Sequence, residues 1–234
     1  MKKLFALKYF ALFAALFMLV ACDDDDPQQI LIGSSIGILE KVDDASFCLN
    51  TDDGEKLLVE NSADLISNKF VDGDRVQADF YVTKEFTKDD VYDYQVRILG
   101  CNRVLLKKPV ALTALNAEEI GDDAVAVPYN WTTKDYLNFQ IEFPTDGVVQ
   151  HTINLVTVDD PIELEDGYLY FELRHNSKSD FGMSKYRGYV SFDSRDYVDT
   201  NTKGFVVRFR SLSDGEQYIK IKYDDGQEDI TPMD

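Results

Sequence analysis

Hydrophobic and polar residues alternate through two neighbouring runs in the first half of the chain, residues 75–82 and 92–98. Every second residue of each run falls on one apolar face. These faces carry Val76, Ala78, Phe80 and Val82 in the first run and Tyr92, Tyr94, Val96 and Ile98 in the second. A period of two over this length is typical of half-buried antiparallel strands.

Three more strands are predicted before this pair. Residues 30–42 form a long aliphatic run that contains Gly33 and Gly37, and glycine inside a strand marks a bulge or a sharply coiled bend. Residues 47–50 and 56–60 are separated by a turn sequence and predict a hairpin.

A short helical turn follows the hairpin, with Asn61 and Ser62 as its expected caps. Five strands with one short helix between the third and the fourth match the plan of a small OB-like barrel. We therefore assign residues 30–108 to such a barrel. A generic five-stranded meander is the alternative.

The pattern of strands and turns in the second half of the chain predicts a β-sandwich. After a crossing segment at 109–120, seven strand-like runs are separated by turn-like sequences. The runs are 124–131, 136–143, 149–158, 168–175, 186–192, 204–211 and 217–223. The expected fold class is all-β, with an immunoglobulin-like β-sandwich over residues 109–234 after the barrel.

The first 21 residues have the layout of a secretory signal peptide. Lys2 and Lys3 precede an apolar core at 9–20, which ends at the small residue Ala21. This core is shorter than the roughly 20 apolar residues that a membrane-spanning helix needs.

Leu19, Val20, Ala21 and Cys22 resemble the bacterial lipobox, which is cleaved before its cysteine. The resemblance implies lipidation of the Cys22 thiol, so that acyl chains anchor the protein in a membrane. An ordinary structural cysteine after an ordinary signal is the alternative.

Four aspartates follow Cys22 directly, and residues 22–29 are interpreted as a solvated acidic tether. The acidic run also resembles the export signal that some Gram-negative bacteria use to display lipoproteins on the cell surface. We expect a lipid-anchored outer-membrane protein exposed on the surface. The periplasmic face of that membrane is the alternative.

The charge of the chain excludes one class of partner. Its formal net charge is −19, and no basic stripe compensates it, so the surface repels a phosphate backbone. We expect no nucleic-acid partner.

Two cysteines lie beyond the anchor, Cys48 and Cys101. They fall on predicted strands that are not neighbours in an OB-like barrel. Two small buried thiols are therefore expected, with a disulfide as the alternative.

Few residues are candidates for a catalytic site. His151 is in phase with apolar neighbours and is expected to point inward and donate to a backbone carbonyl. His175 lies at a strand end near Asp180, where a polar cluster either forms an active site or fastens the following loop. The serines lack the setting of a nucleophile elbow, and no catalytic residue is assigned.

No metal or cofactor is expected either. Aspartate pairs recur at predicted turns, but none of the loops follows a calcium-binding pattern, so they are interpreted as solvated turns. Tyr81, Phe86 and Tyr92 form either a glycan-binding platform on the barrel or ordinary packing.

Several segments resemble the NigD-like lipoproteins. They are the CDDDD start at 22–26, YLNF at 136–139, HTINLV at 151–156, FELRHN at 171–176 and RGYVSFD at 187–193. The resemblance implies an N-terminal OB-type domain, a C-terminal β-sandwich and export as a lipoprotein. For this family an accessory or immunity role associated with bacteriocins has been suggested.

The sequence thus predicts a non-enzymatic, lipid-anchored envelope protein that acts as an interaction or accessory module. Its partners are the membrane, through the lipid on Cys22, and an unidentified protein or glycan. A surface carbohydrate-binding module and a glycan-acting hydrolase are the alternatives.

Overall fold

A computed structural model describes residues 31–159 and 161–223 of the chain. Strands make up most of these residues. The strands are β1 (Ile32–Asp43), β2 (Ser46–Thr51), β3 (Lys56–Val59), β4 (Arg75–Glu85), β5 (Tyr94–Arg103), β6 (Leu105–Lys107), β7 (Val110–Ala111), β8 (Ala126–Thr132), β9 (Tyr136–Thr145), β10 (Thr152–Thr157), β11 (Tyr168–Asn176), β12 (Ser184–Asp193), β13 (Gly204–Ser211) and β14 (Gly215–Lys222). Two short helices are α1 (Ser62–Ser67) and α2 (Ala117–Ile120).

The first five strands form a closed barrel in the order β1-β2-β3-β5-β4, with α1 between β3 and β4. This confirms the OB-like barrel. The apolar face that the alternating pattern predicts on β4 lines the barrel interior, where Val76, Ala78 and Phe80 are buried. The barrel core also contains Leu39, Phe47, Leu49, Leu57, Val59, Leu65, Phe70, Val96 and Ile98.

Strand β1 closes the barrel by pairing with two different neighbours. Its first half pairs with β4 from Ile32 to Ile38, and its second half pairs with β2 from Gly37 onward. Gly37 lies where the two pairings overlap, and a Cβ atom there would be 2.2 Å from the carbonyl oxygen of Asn50. Glycine at 37 therefore permits the close approach of β2, as the sequence predicts for a coiled bend.

The second half of the chain is a β-sandwich. Its sheets have the strand orders β14-β13-β11-β10-β7 and β6-β12-β9-β8. All seven runs predicted from the sequence are strands, β8 to β14. Strands β6 and β7 add to them, and β11 pairs with β13 in parallel, which departs from the antiparallel sheets of an immunoglobulin domain.

One hydrophobic core fills the sandwich between its sheets. Four phenylalanines, Phe139, Phe171, Phe192 and Phe205, are almost completely buried in it. Burial of one such side chain contributes about 1.5–3 kcal/mol. The core is separate from that of the barrel, so the described residues form two hydrophobic cores.

The barrel continues into the sandwich with a single residue between strands. Strand β5 ends at Arg103 and β6 begins at Leu105, and the intervening Val104 is buried and donates its N–H to the carbonyl of Arg75 at 2.8 Å. Strand β6 pairs in parallel with β12 of the sandwich. The domain boundary near residue 108 stays a prediction.

Candidate functional site

An apolar patch is exposed at one end of the sandwich. We call it the loop-end patch and define it as Val148, Val149, Phe181, Met183 and Tyr186. Phe181 is 68% exposed and Met183 is 101% exposed. Clusters of large apolar side chains in water are typical of interaction surfaces.

A buried carboxylate joins the two loops that carry this patch. Asp180 accepts hydrogen bonds from the hydroxyl of Thr145 at 2.9 Å and from the backbone N–H of Asp146 at 2.8 Å. In return, the N–H of Met183 donates to the Asp146 carboxylate at 3.3 Å. The loop after β9 and the loop before β12 are thereby fastened to each other.

Gly182 lies between Phe181 and Met183, two exposed residues of the patch. A Cβ atom at this position would be 2.2 Å from the backbone nitrogen of Asp146, so only glycine allows the two loops to approach this closely. The backbone therefore holds Phe181 and Met183 in a fixed position at the tip of the sandwich.

Two buried histidines lie directly beneath the loop-end patch. Nδ1 of His151 is 2.9 Å from Nε2 of His175, and Nδ1 of His175 is 2.9 Å from the carbonyl oxygen of Ala124. Nε2 of His151 is 3.3 Å from the Asp180 carboxylate. Phe143 stacks on both imidazole rings at centroid distances of 4.5 and 4.6 Å.

The acceptors around the two imidazole rings show which ring nitrogens carry hydrogens. A carbonyl oxygen only accepts, so Nδ1 of His175 carries a hydrogen. If His175 is neutral, its Nε2 accepts from Nδ1 of His151.

Two groups of this site have a lowered pKa, with opposite effects on their charge. The shift favours the neutral form of His175 and the ionised form of Asp180. Burial, together with the neighbouring His151, lowers the pKa of His175 and favours the neutral ring, against the opposing effect of its contact with Ala124. Hydrogen bonds from the N–H of Asp146 and from the hydroxyl of Thr145 lower the pKa of Asp180 to about 2, against the opposing effect of burial. The site thus contains the carboxylate of Asp180, for which the charged form is favoured, and the inner imidazole of His175, for which the neutral form is favoured.

The predicted partner of His151 was wrong. His151 points inward as expected, but it contacts His175 and Asp180, and the backbone carbonyl is bound by His175 instead. The sequence pattern predicts that a side chain is buried, but not which atoms it contacts. Those contacts depend on the pairing of β10 with β11, which places Ile153, two residues after His151, opposite His175.

His175 and Asp180 fasten the loop rather than face solvent. His175 is 1% exposed and both of its ring nitrogens are engaged, so it does not contact a substrate in this conformation. Of the two interpretations of this cluster, the structure favours the fastening role.

A second polar cluster joins the barrel to the sandwich. The buried guanidinium of Arg75 donates to both carboxylate oxygens of Asp52, at 2.9 and 2.6 Å, and to Asn138 at 2.9 Å and Ser191 at 2.6 Å in the sandwich. Trp131 donates its indole N–H to Asp52 at 2.9 Å. These five residues form the junction clamp, and no local sequence pattern predicts it.

Several aspartates of the predicted turns are not simply solvated. Asp52 belongs to the junction clamp, Asp122 pairs with Arg208 at 2.7 Å, and Asp123 accepts from the N–H and hydroxyl of Ser177. These partners come from distant strands, so local spacing does not reveal them. In the described residues, His, Cys, Asp and Glu form no group that could hold a metal ion.

The aromatic side chains considered for a glycan platform on the barrel do not form a flat surface. Phe86 and Tyr92 are neighbours with centroids 6.2 Å apart, but their rings are tilted by 49°. Lys84 lies over the Phe86 ring, and Tyr81 is placed opposite Arg97 on the neighbouring strand.

Both cysteines within the described residues are free thiols, with Cys48 buried and Cys101 partly buried. Burial raises the pKa of each thiol to about 11. Cys22 lies outside the described residues. No helix within 31–159 and 161–223 has the length and apolar character needed to cross a membrane.

Two shallow concavities lack the geometry that a glycan-acting hydrolase needs. The first, of about 500 Å³, lies at the junction and has one lining carboxylate, Asp74, which is paired with Arg103. The second, of about 440 Å³, has one lining carboxylate, Asp64 of α1. Neither places two carboxylates across a groove, as glycoside hydrolysis requires.

The chain matches two family models in the order of its two modules. Residues 36–100 match the NigD-like N-terminal OB domain, and residues 108–223 match the NigD-like C-terminal β-sandwich domain. Among curated proteins, none matches this sequence.

Solved structures share the whole arrangement at low sequence identity. A Bacteroides vulgatus protein of unknown function is 23% identical with a TM-score of 0.71, and the match covers 87% of this chain and 96% of that one. A NigD-like immunity protein from Bacteroides caccae is 16% identical with a TM-score of 0.56, covering 83% and 93%. A proposed lipoprotein from Bacteroides fragilis is 10% identical with a TM-score of 0.62, covering 84% and 100%.

Proposed function

Because the chain belongs to the NigD-like family, we propose that it is a non-enzymatic, lipid-anchored accessory protein of the cell envelope that presents the loop-end patch to a protein partner. Acyl chains on Cys22 hold the molecule at the outer membrane, and residues 22–29 space it from the bilayer on the cell surface. The name of the Bacteroides caccae structure supports an immunity role.

The observation that carries the proposal is the exposure of Phe181 and Met183 on a rigid support. Gly182 and the Asp180 hydrogen bonds fix the loops, so little conformational entropy is lost when a partner covers them. Apolar anchors of this kind dominate the binding energy of protein interfaces.

The net charge suggests the chemistry of the partner. A surface with a formal charge of −19 attracts basic proteins and accelerates their approach. The partner we propose is therefore a basic protein with apolar side chains that cover the loop-end patch.

Site-specific photocrosslinking in intact host cells tests the patch. A photoreactive residue replaces Met183, and the matched control replaces Leu115, which is equally exposed on a loop after β7. We expect a protein adduct from position 183 and none from position 115. The captured protein is then purified, and its affinity for the full chain should fall at least about tenfold with Phe181→Ser. Equal labelling at both positions, or unchanged affinity, contradicts the proposal.

The lipid anchor has its own test. Cells labelled with a radioactive fatty acid should incorporate it into the wild-type protein and not into Cys22→Ala. Protease treatment of intact cells then separates surface display from the periplasmic face, because only a surface-exposed molecule is digested.

A further inference from the structure

The outer face of the four-stranded sheet carries a row of side chains that the loop-end patch does not use. Tyr129 of β8 lies opposite Gln140 of β9, and Gln140 lies opposite Tyr189 of β12. Their strand neighbours Phe139 and Val190 are buried in the core. Since successive side chains of a strand point to opposite faces, the row Tyr129, Gln140 and Tyr189 faces outward.

Three aromatic rings meet on this face. The ring of Tyr129 stacks on Trp131 with centroids 5.6 Å apart and planes 30° apart, and Tyr189 meets Trp131 edge-on at 6.0 Å. Tyr129 is 57% exposed. Its neighbour Trp131 is held by the hydrogen bond to Asp52 of the barrel, so the aromatic surface is fixed before any ligand arrives.

Polar groups lie beside the aromatic rings, on the neighbouring strands β9 and β12 of the same face. The amide of Gln140 donates to the Tyr189 hydroxyl at 3.1 Å. This bond leaves the hydroxyl hydrogen of Tyr189 as a donor and the carbonyl oxygen of Gln140 as an acceptor. In the next row Glu142 is paired with both Arg187 and Lys185, so its carboxylate is neutralised and one positive charge remains at that end of the face.

This combination has the chemistry of a sugar-binding surface. An aromatic ring packs against the apolar C–H face of a pyranose, while neighbouring amide and hydroxyl groups bind its hydroxyls. The overall charge of −19 disfavours glycans that carry carboxylate or sulfate groups. We propose that this face binds a neutral oligosaccharide, with Tyr129 as the stacking residue and Gln140 and Tyr189 as the hydrogen-bonding residues.

The single tryptophan of the chain makes the proposal directly measurable. The full chain in detergent is titrated with neutral hexose oligomers, namely hexamers of β-1,4-glucan, α-1,4-glucan, β-1,3-glucan and α-1,6-mannan, while Trp131 fluorescence and heat are recorded. We expect saturable binding of at least one of them. Absence of binding by all four at about 10 mM, which would nearly saturate a millimolar site, overturns the proposal.

Variants assign the binding to this face. Tyr129→Ala should weaken binding at least about tenfold, whereas Tyr129→Phe keeps the ring and should keep the affinity. The matched control is Tyr218→Ala, which removes an exposed tyrosine from the five-stranded sheet and should change nothing. Equal affinity of Tyr129→Ala and wild type, or equal loss in both alanine variants, contradicts the assignment.

The outcome is separable from that of the protein-partner proposal. The loop-end variant Phe181→Ser should bind the oligosaccharide with unchanged affinity, because Phe181 is not part of this row. Loss of glycan binding in Phe181→Ser would contradict a separate glycan site.

Discussion

The guanidinium of Arg75, in the barrel, donates to the hydroxyl of Ser191, in the sandwich, at 2.6 Å. Both side chains are buried, and the same guanidinium forms a bidentate pair with Asp52. Arginine suits this position because its planar fork donates in several fixed directions at once. The two modules are therefore coupled by a hydrogen-bonded charge at their junction as well as by the short link through Val104.

Replacement of Arg75 should uncouple the two modules. Arg75→Ala leaves the Asp52 carboxylate without its cation and should destabilise the protein by about 3–5 kcal/mol. In urea, wild-type unfolding followed by Trp131 fluorescence and by circular dichroism should coincide, whereas the two transitions should separate in the variant. Arg97→Ala is the control, because its exposed pair with Glu60 at 3.5 Å should contribute less than about 1 kcal/mol. Similar losses in both variants would contradict a coupling role for the junction clamp.

The buried imidazole of His175 should make stability depend on pH. His175 has a lowered pKa in the folded protein, so the unfolded chain binds more protons below its ordinary pKa of 6.5. Stability should therefore be constant above about pH 7.5 and fall as the pH drops through 6.5. Asp180, with a folded pKa of about 2, adds a further loss only below its ordinary value of 3.8.

Urea midpoints measured between pH 8 and pH 5 test this dependence. His175→Asn keeps a side-chain donor but does not titrate, so its midpoint should change less across this range than that of the wild type. Asp123 also lies in this region. Hydrogen bonds from Ser177 outweigh the effect of burial and lower the pKa of Asp123, so it stays ionised over this range and should not contribute a slope. Equal slopes in variant and wild type would show that His175 is not the titrating group.

Close packing around β1 predicts unequal effects at its two glycines. A Cβ atom at Gly37 would meet the Asn50 carbonyl oxygen at 2.2 Å, whereas a Cβ atom at Gly33 would meet the Phe80 ring at 2.9 Å. A backbone atom shifts only with its strand, but an aromatic side chain can rotate. Gly37→Ala should therefore cost at least about 3 kcal/mol and Gly33→Ala less, as measured by chemical unfolding. A larger loss at Gly33 would contradict this account.

The strand content and the two modules could be predicted from the sequence because they follow from local pattern. Alternation on β4, the glycines of β1 and the seven later runs each reflect which side chains meet the core. These signals are read within a few residues, and they do not depend on which strands become neighbours.

The contacts that define the sites could not be predicted in the same way. Asn61 directly precedes α1 as expected, but its side chain exchanges hydrogen bonds with the backbone of Ile98 on β5 instead of capping the helix. The junction clamp likewise joins Arg75 to Ser191, which are 116 residues apart. Only the strand order brings such groups together, and a single sequence does not give it.

Cysteine alkylation should report both the fold and the anchor. Burial raises the pKa of Cys48 and of Cys101 to about 11, and the thiolate is the form that reacts. At pH 8 iodoacetamide should therefore modify the folded protein on the order of a hundredfold more slowly than the urea-unfolded chain. Cys48, which is almost fully buried, should react more slowly than the partly exposed Cys101.

The number of modified thiols then tests lipidation of Cys22. Protein purified from host membranes and unfolded in urea should take up two alkyl groups, because the third thiol carries lipid. Cys22→Ala expressed in the same cells should also take up two alkyl groups, but its mass should show no fatty acid. Unprocessed chain made without a membrane should take up three, in agreement with the three cysteines of the sequence. Three alkyl groups on the membrane-derived protein would exclude a lipid on Cys22 and leave its attachment to the envelope without a mechanism.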